Sequence, residues 1–297
     1  MNLDIRKILV PVDFSETGTL ALEHASFMAR LAKADLLLLH VLPIQEYHFE
    51  IPEPVMRIEN HDEVNTIVEQ KLADLVADVR ERYGCKATSI SARGKVAHEI
   101  MEVAKDQKTD LIIMGTHGAS GFEEFFIGSN AHKVVTVAPC PVITVQTHAT
   151  RLGFSTIVLP IDRTMHSREK VTVALKMAEL FVAKIHILGL LENTDTHEAD
   201  KLNIVLDQVQ HSVEKTGLPF TRKVIKGDNL AVEALKYSKE ISADLIIIMT
   251  EHESEMNGIF LGARAKQIVN HSSVPVMSIK PHAGKFQGLD MGGAYTF

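Results

Sequence analysis

The segment 114–131 reads MGTHGASGFEEFFIGSNA, and its residue types could build an anion site. Gly115 and Gly118 lack a Cβ, so backbone at these points can approach a ligand closely. After nine intervening residues, Gly128-Ser129-Asn130-Ala131 opens a helical stretch. Free N–H groups and the positive dipole end at such a start favour a phosphate. The Ser129 hydroxyl adds one more donor. Upstream, the apolar run Ile8 to Val12 ends in Pro11-Val12-Asp13, whose carboxylate and backbone could face the same place. Val41, closing a second apolar run, could add a wall, and Met114 ends the strand before the glycines. Each piece also has a plain structural reading: the glycines turn the chain, and Ser129, Asp13 or Ser15 caps a helix. His117 could donate to a phosphate or sit solvated in a turn. A metal pair of His117 with His132 competes with chance proximity, because the chain holds 15 histidines.

These residues need elements that bring them together. Ile8 to Val12 and Leu36 to Val41, the latter interrupted by His40 alone, are apolar runs, as expected of strands buried on both faces. Leu20, His24, Phe27, Met28 and Leu31 recur at helical spacing, as do Val64, Ile67, Val68, Leu72, Leu75 and Val79. Strands are predicted at 86–92, 110–114 and 141–145, with helices around Ala97–Ala104 and over 131–138. Five strands alternating with four helices imply a parallel sheet with right-handed crossovers. The doubly wound order 3-2-1-4-5 makes strands 1 and 4 neighbours at the switch point, where ligands sit beyond the strands' carboxyl ends. The candidate residues follow those two strands.

The chain then repeats itself. KILVPVD at 7–13 returns as TIVLPID at 156–162, DLIIMG at 110–115 as DLIIIM at 244–249, and PCPVITV at 139–145 as SVPVMSI at 273–279. The offset is 149 at the first strand and 134 at the fourth, so the first copy carries about 15 extra residues, placed in the polar stretch Glu46 to Asp62. The second copy is predicted to have strands near 156–160, 185–190, 220–226, 244–249 and 275–279, and helices near 167–183, 200–216, 229–240 and 263–272. The expected organisation is a domain at 1–147, a linker from Thr147 to Gly153, a second domain at 154–281 and a glycine-rich tail at 282–297. The tail could dock through Phe286, Tyr295 and Phe297.

Gly115-x-x-Gly118, nine residues, then Gly128-Ser129 resembles the ATP-binding signature of universal stress proteins of the nucleotide-binding subclass. KILVPVD and PCPVITV are similar to that family's opening and closing strands, and the resemblance spans two tandem copies. It implies two flavodoxin/Rossmann-like α/β domains, each a five-stranded parallel sheet flanked by helices, the first binding ATP or ADP, with or without Mg. By the same resemblance Pro11, Val12, Asp13, Val41 and Met114 would hold adenine and ribose. Gly115, His117, Gly118, Gly128, Ser129, Asn130 and Ala131 would hold ribose and phosphates. Asn130 and Ala131 depart from the Val-Thr or Val-Ala pair common after the Gly-Ser, which turns attention there to backbone contacts. Domains of this family commonly pair through the last strand, so the two copies can pair within the chain; a homodimer is a further expectation.

The second copy reads differently. Its loop, MTEHESEMNGIFLGARAK, has no Gly-x-x-Gly, places Glu251, Glu253 and Glu255 where a polyphosphate would lie, and has Gly262-Ala263 in place of Gly128-Ser129. Two like charges at about 4 Å repel by about 4 kcal/mol at an effective dielectric of about 20. Arg264 is the one attraction in that loop. The second copy is therefore expected to be mainly a pairing partner, although Asp162 persists after its first strand.

Composition bounds the rest. The 297 residues are 45% hydrophobic and 23% charged, with a formal charge of −7. That balance suits two ordinary domains and makes the chain a poor candidate for a general nucleic-acid binder, which needs a basic face. Cys85 and Cys140 form no CxxC pair. No apolar run reaches membrane-spanning length, and the N-terminal apolar stretch is too short for a secretory signal, so a cytoplasmic protein is expected. Gly94-Lys95 lacks a Walker spacing, because Ser89 stands five residues before Gly94 and Val96 follows the lysine. The first turn has no GxGxxG. Binding donors can be named but no catalytic base, so at most slow hydrolysis is expected. Three functions stay open: a nucleotide-binding stress protein, a scaffold without nucleotide, and a slow ATPase or adenylyl transferase of the same fold.

Overall fold

In the computed structural model, which describes residues 4–44, 61–116, 127–192, 196–250 and 261–281, the apolar runs become strands with both faces covered. The first lobe comprises β1 (Lys7–Pro11), α1 (Glu16–Ala32), β2 (Asp35–Pro43), α2 (His61–Tyr83), β3 (Ala87–Gly94), α3 (Val96–Asp106), β4 (Leu111–Gly115), α4 (Ser129–Val137) and β5 (Val142–Val145). The second comprises β6 (Thr156–Ile161), α5 (Met165–Phe181), β7 (Lys184–Leu191), α6 (Thr196–Glu214), β8 (Phe220–Lys226), α7 (Leu230–Glu240), β9 (Leu245–Met249), α8 (Ala263–His271) and β10 (Val276–Ile279). The ten strands form one sheet in the order β3-β2-β1-β4-β5-β10-β9-β6-β7-β8. Read inward from either edge, each lobe has the order 3-2-1-4-5 expected from the alternation. All pairs are parallel except β5 with β10, which run antiparallel with Val276 opposite Thr144 and Ser278 opposite Val142. Thr144 and Ser278 are repeat counterparts, so the seam has a local two-fold relation.

One face of the sheet carries α1, α2, α5 and α6, with Ile8, Val10, Met28, Leu72, Ile157 and Met177 among its buried side chains. The other carries α3, α4, α7 and α8, over Leu9, Ile112, Val134, Val158 and Ile246. The helical stripes fill these layers only in part. Leu31, Val64 and Ile67 continue the predicted stripes but are exposed, at 40%, 36% and 56%. The first lies in the last turn of α1 and the other two in the first turns of α2. Among the described residues no helix is long and apolar enough to cross a membrane.

The connection between β5 and β6 is pinned rather than loose. His24 of α1 is buried and donates Nε2–H to the Ala149 carbonyl at 2.7 Å. Its ring stacks on buried Phe154 at 5.8 Å, and Phe154 meets Phe181 of α5 edge-on. Gly153 has φ +87, and a Cβ there would lie 3.0 Å from Phe27. The stretch read as a linker is thus clamped between helices of both lobes. Most of the Glu46–Asp62 stretch and all of the 282–297 tail lie outside the described residues.

Candidate functional site

β1 and β4 lie side by side, so the residues after them share one end of the sheet. The chain leaves β1 through Val12, whose N–H donates to Leu39 at 2.8 Å. The Val12 carbonyl accepts from His40 Nδ1 at 2.8 Å, which fixes the proton of that ring on Nδ1. Both backbone groups of Val12 are therefore engaged before any ligand arrives. Val12 is buried against the α1–α2 layer, whereas Val41, Met114 and Ala131 are buried in the opposite layer. Val41 and Met114 form apolar floor, and Ala131 has only backbone to offer a ligand. Pro11 is half-buried.

Asp13 is oriented by a short relay. Its Oδ1 accepts from the Ser15 N–H at 3.0 Å and the Ser15 hydroxyl at 2.5 Å, and the Ser15 oxygen accepts the Gly18 N–H at 3.0 Å. Ser15 is the N-cap of α1, so of the two candidate caps Ser15 acts and Asp13 holds it. Asp13 Oδ2 is bonded to none of the described residues. Between them Phe14 has φ +61, a left-handed conformation that is an outlier for a bulky side chain. Its ring packs on His40 at 4.8 Å, under Lys71 Nζ at 5.1 Å. The other non-glycine residues of positive φ fall into repeat pairs: Lys33 with Val182 after α1 and α5, and Lys108 with Ser242 before β4 and β9. Phe14 has no such counterpart among the described residues. Neither Phe14 nor His40 was found by reading the sequence; a tight Val-Asp-x-Ser turn with no glycine was the available signal.

On the β4 side, Gly115 closes the strand, and a Cβ there would come within 3.1 Å of the Thr17 backbone carbon and side chain. Its glycine is required by the approach of α1. Thr116 is buried, donates its N–H to Val145 and accepts the Gly128 N–H at 2.7 Å, so both ends of the intervening loop are fastened together. His117 and Gly118 lie in that loop, outside the described residues. Gly128 is the N-cap of α4 and receives no side-chain cap. Ser129 is the first helical residue rather than the cap, and it and Asn130 are exposed. The structure therefore brings Pro11, Val12, Asp13, Val41, Met114, Gly115, Gly128, Ser129, Asn130 and Ala131 to one end of the first lobe. His132, one turn into α4, has its pKa lowered by burial and by the charge of Lys266. Among the described residues no cluster of His, Cys, Asp and Glu could hold a metal.

The matching end of the second lobe is built from charge. Asp162 Oδ1 accepts from the Thr164 N–H at 2.9 Å and hydroxyl at 2.6 Å, the same turn as Asp13-x-Ser15. Its Oδ2, however, is taken by Arg264 at 2.8 Å, and the other arm of Arg264 reaches Glu192 at 2.6 Å. Lys170, only 3% exposed, donates to the Ser167 carbonyl and hydroxyl. Burial works to raise the Asp162 pKa, but the Thr164 bonds, Lys170 and Arg264 outweigh it and hold the carboxyl below its ordinary value. Glu251, Glu253 and Glu255 fall outside the described residues.

The comparisons agree with the repeat. The model of the universal stress protein family matches residues 4–146 and again 153–280. Universal stress protein YxiE of Bacillus subtilis is 32% identical over 145 residues, covering 47% of this chain and 98% of the relative. Universal stress protein MJ0577 of Methanocaldococcus jannaschii is 29% identical over 159 residues, covering 49% and 98%. These relatives are each about one lobe long. A crystal structure of a universal stress protein from Archaeoglobus fulgidus superposes on both lobes, with a TM-score of 0.76, 20% identity, and coverage of 94% of this chain and 99% of that one, a likeness of fold. With two family matches that together span most of its length, the chain belongs to the universal stress protein family.

Proposed function

We propose that the first lobe binds an adenine nucleotide, ATP or ADP, and that the chain serves the stress response as a nucleotide-binding protein rather than as a fast enzyme. The observation that carries this reading is the state of two equivalent aspartates. Asp13 is aimed by Ser15 with Oδ2 open, whereas Asp162 has its Oδ2 closed by Arg264. An oriented carboxylate with an open oxygen suits a ribose hydroxyl or a base N–H, because the ligand then meets a fixed acceptor. Across the crevice, the uncapped start of α4 at Gly128 and Ser129 suits a phosphate. The apolar floor of Val41 and Met114 suits a purine face. Pro11 and Val12 would border the base, and Gly115, His117, Gly118, Asn130 and Ala131 the ribose and phosphates, the last through its N–H. The second lobe serves as the partner of the first across β5 and β10.

Calorimetric titration with ATP and ADP tests this. The expected result is about one nucleotide per chain, abolished by Gly118→Val, weakened by Asp13→Ala, and little changed by Glu253→Ala. Mass spectrometry of small molecules carried by the purified protein should find adenine nucleotide at the same ratio. Tight binding that survives Gly118→Val would place the cradle elsewhere. A turnover above about 1 s⁻¹, the low end for ordinary enzymes, would overturn the non-enzymic part.

A further inference from the structure

We propose that Arg264 is an internal plug: by bridging Asp162 and Glu192 it holds the crevice of the second lobe shut and keeps Lys170 from water. The guanidinium leaves the first turn of α8, crosses the end of the sheet, and contacts one carboxylate after β6 and another after β7. A planar fork can engage two acceptors at once, which a lysine ammonium at the same place would do with less directional hold. Arg264 and Asp162 are largely covered, at 26% and 15% side-chain exposure, while Glu192 at 64% is the outer arm. Behind them, Arg264, Lys170 and Asp162 line a space of about 40 Å³ over Leu190 and Ile248. That volume holds about three waters and no nucleotide.

The four charges balance, so the closed crevice has little to offer a polyanion. A phosphate could pair with Arg264 only by displacing Asp162 or Glu192, an exchange of one anion for another. The repeat shows that this arrangement belongs to one lobe. At the offsets of the duplication, Asp162, Lys170, Glu192 and Arg264 correspond to Asp13, Ala21, Pro43 and Asn130. Three of the four charges are missing from the first lobe, and only the aspartate is shared. The second crevice is thus occupied by charged side chains that the first lobe lacks.

The test needs no nucleotide, so its outcome is separate from that of the proposed first-lobe site. The full chain is pulse-labelled with acetic anhydride, and acetylation of each lysine is followed by mass spectrometry, with exposed Lys239 as internal reference. In the unaltered protein Lys170 should label at least ~100-fold more slowly than Lys239, as expected when labelling waits on local opening. Arg264→Asn, which installs the first-lobe residue, should bring Lys170 to within ~10-fold of Lys239, provided amide exchange in β9 shows the sheet intact. Glu192→Gln, a change at an exposed position, should raise Lys170 labelling by a smaller factor, and Arg264→Lys should fall between. Lys170 reacting like Lys239 in the unaltered protein, or equally protected in Arg264→Asn and Glu192→Gln, would overturn the plug.

Discussion

His24 holds the junction of the two lobes, and its chemistry makes that junction sensitive to acid. The ring is 2% exposed, donates from Nε2 to the Ala149 carbonyl, stacks on Phe154, and leaves Nδ1 buried without a partner. Burial disfavours the charged ring and lowers its pKa, outweighing the Ala149 bond and the charge of Glu23, which favour the cation. Because the folded value lies below the unfolded one of about 6.5, the unfolded chain takes up the proton first. The contribution of His24 is complete above that pH and is lost as pH falls from it toward the folded value. Each such histidine adds at most about 1.4 kcal/mol per pH unit to the slope. His132 and His186 are also lowered by burial and share the window. In His24→Gln the amide can still donate to Ala149 but does not titrate. Urea unfolding should give near-native stability at about pH 8 and an acid slope shallower by up to about 1.4 kcal/mol per pH unit. In His24→Ala the Ala149 acceptor is stranded, at about 1–3 kcal/mol, and the hole beside Phe154 adds about 2 kcal/mol, a loss of roughly 3–5 kcal/mol at about pH 8 that narrows as pH falls below about 6.5. An unchanged acid slope in His24→Gln, with His132 and His186 intact, would refute this account of the junction.

Two further outcomes follow from packing. Gly115→Val puts a branched side chain 3.1 Å from the Thr17 backbone, which cannot swing aside, and should cost about 1–3 kcal/mol in a denaturant titration; an unchanged midpoint would show that α1 yields. Cys140, its pKa pushed up to about 12 by burial and by the charge of Asp110, should be about one part in ten thousand thiolate at about pH 8. Iodoacetamide should then modify it only as the protein unfolds, and rapid labelling of the native chain would contradict this environment.

Strands and their order were legible because parallel sheets demand it: a strand covered on both faces has to be largely apolar, and Ile8 to Val12 and, apart from His40, Leu36 to Val41 are. His24 was legible as a member of the α1 stripe, though not as the residue that fastens Ala149, since that contact spans 125 positions. Leu31, Val64 and Ile67 show where periodicity overreaches: a helix can keep its apolar stripe into terminal turns where those side chains stay exposed. The site was legible where backbone geometry dominates, at Gly115 and Gly128, and illegible where a side chain chooses among distant partners. Arg264 could be read as an attraction within its own loop, but its partners follow β6 and β7. Phe14 is hidden from sequence because its conformation runs against the preference of its residue type; it persists only because His40, Lys71 and the Asp13-Ser15 relay hold it on both sides.

The duplication supplies its own control for separating fold from function. Features that recur at the repeat offsets, such as the left-handed residues after α1 and α5 or the carboxylate that organises the first turn of α1 and of α5, are what this sheet needs in order to form. Features that fail to recur cannot be requirements of the sheet, because the other lobe forms without them. By that criterion the strained Phe14 beside an open Asp13 oxygen is not structural necessity. A strained turn costs on the order of 1–3 kcal/mol, and the second lobe makes the equivalent aspartate turn with Thr164 in place of Ser15 and with Arg163 outside the set of positive-φ residues. The lobe that carries the strain is the lobe with the open carboxylate, whereas the uncapped glycine at the helix start recurs as Gly128 and Gly262. The lobe without the strain has closed its crevice with arginine. The two halves thus keep one frame and divide at the crevice, one left open to a ligand and the other sealed by its own charges.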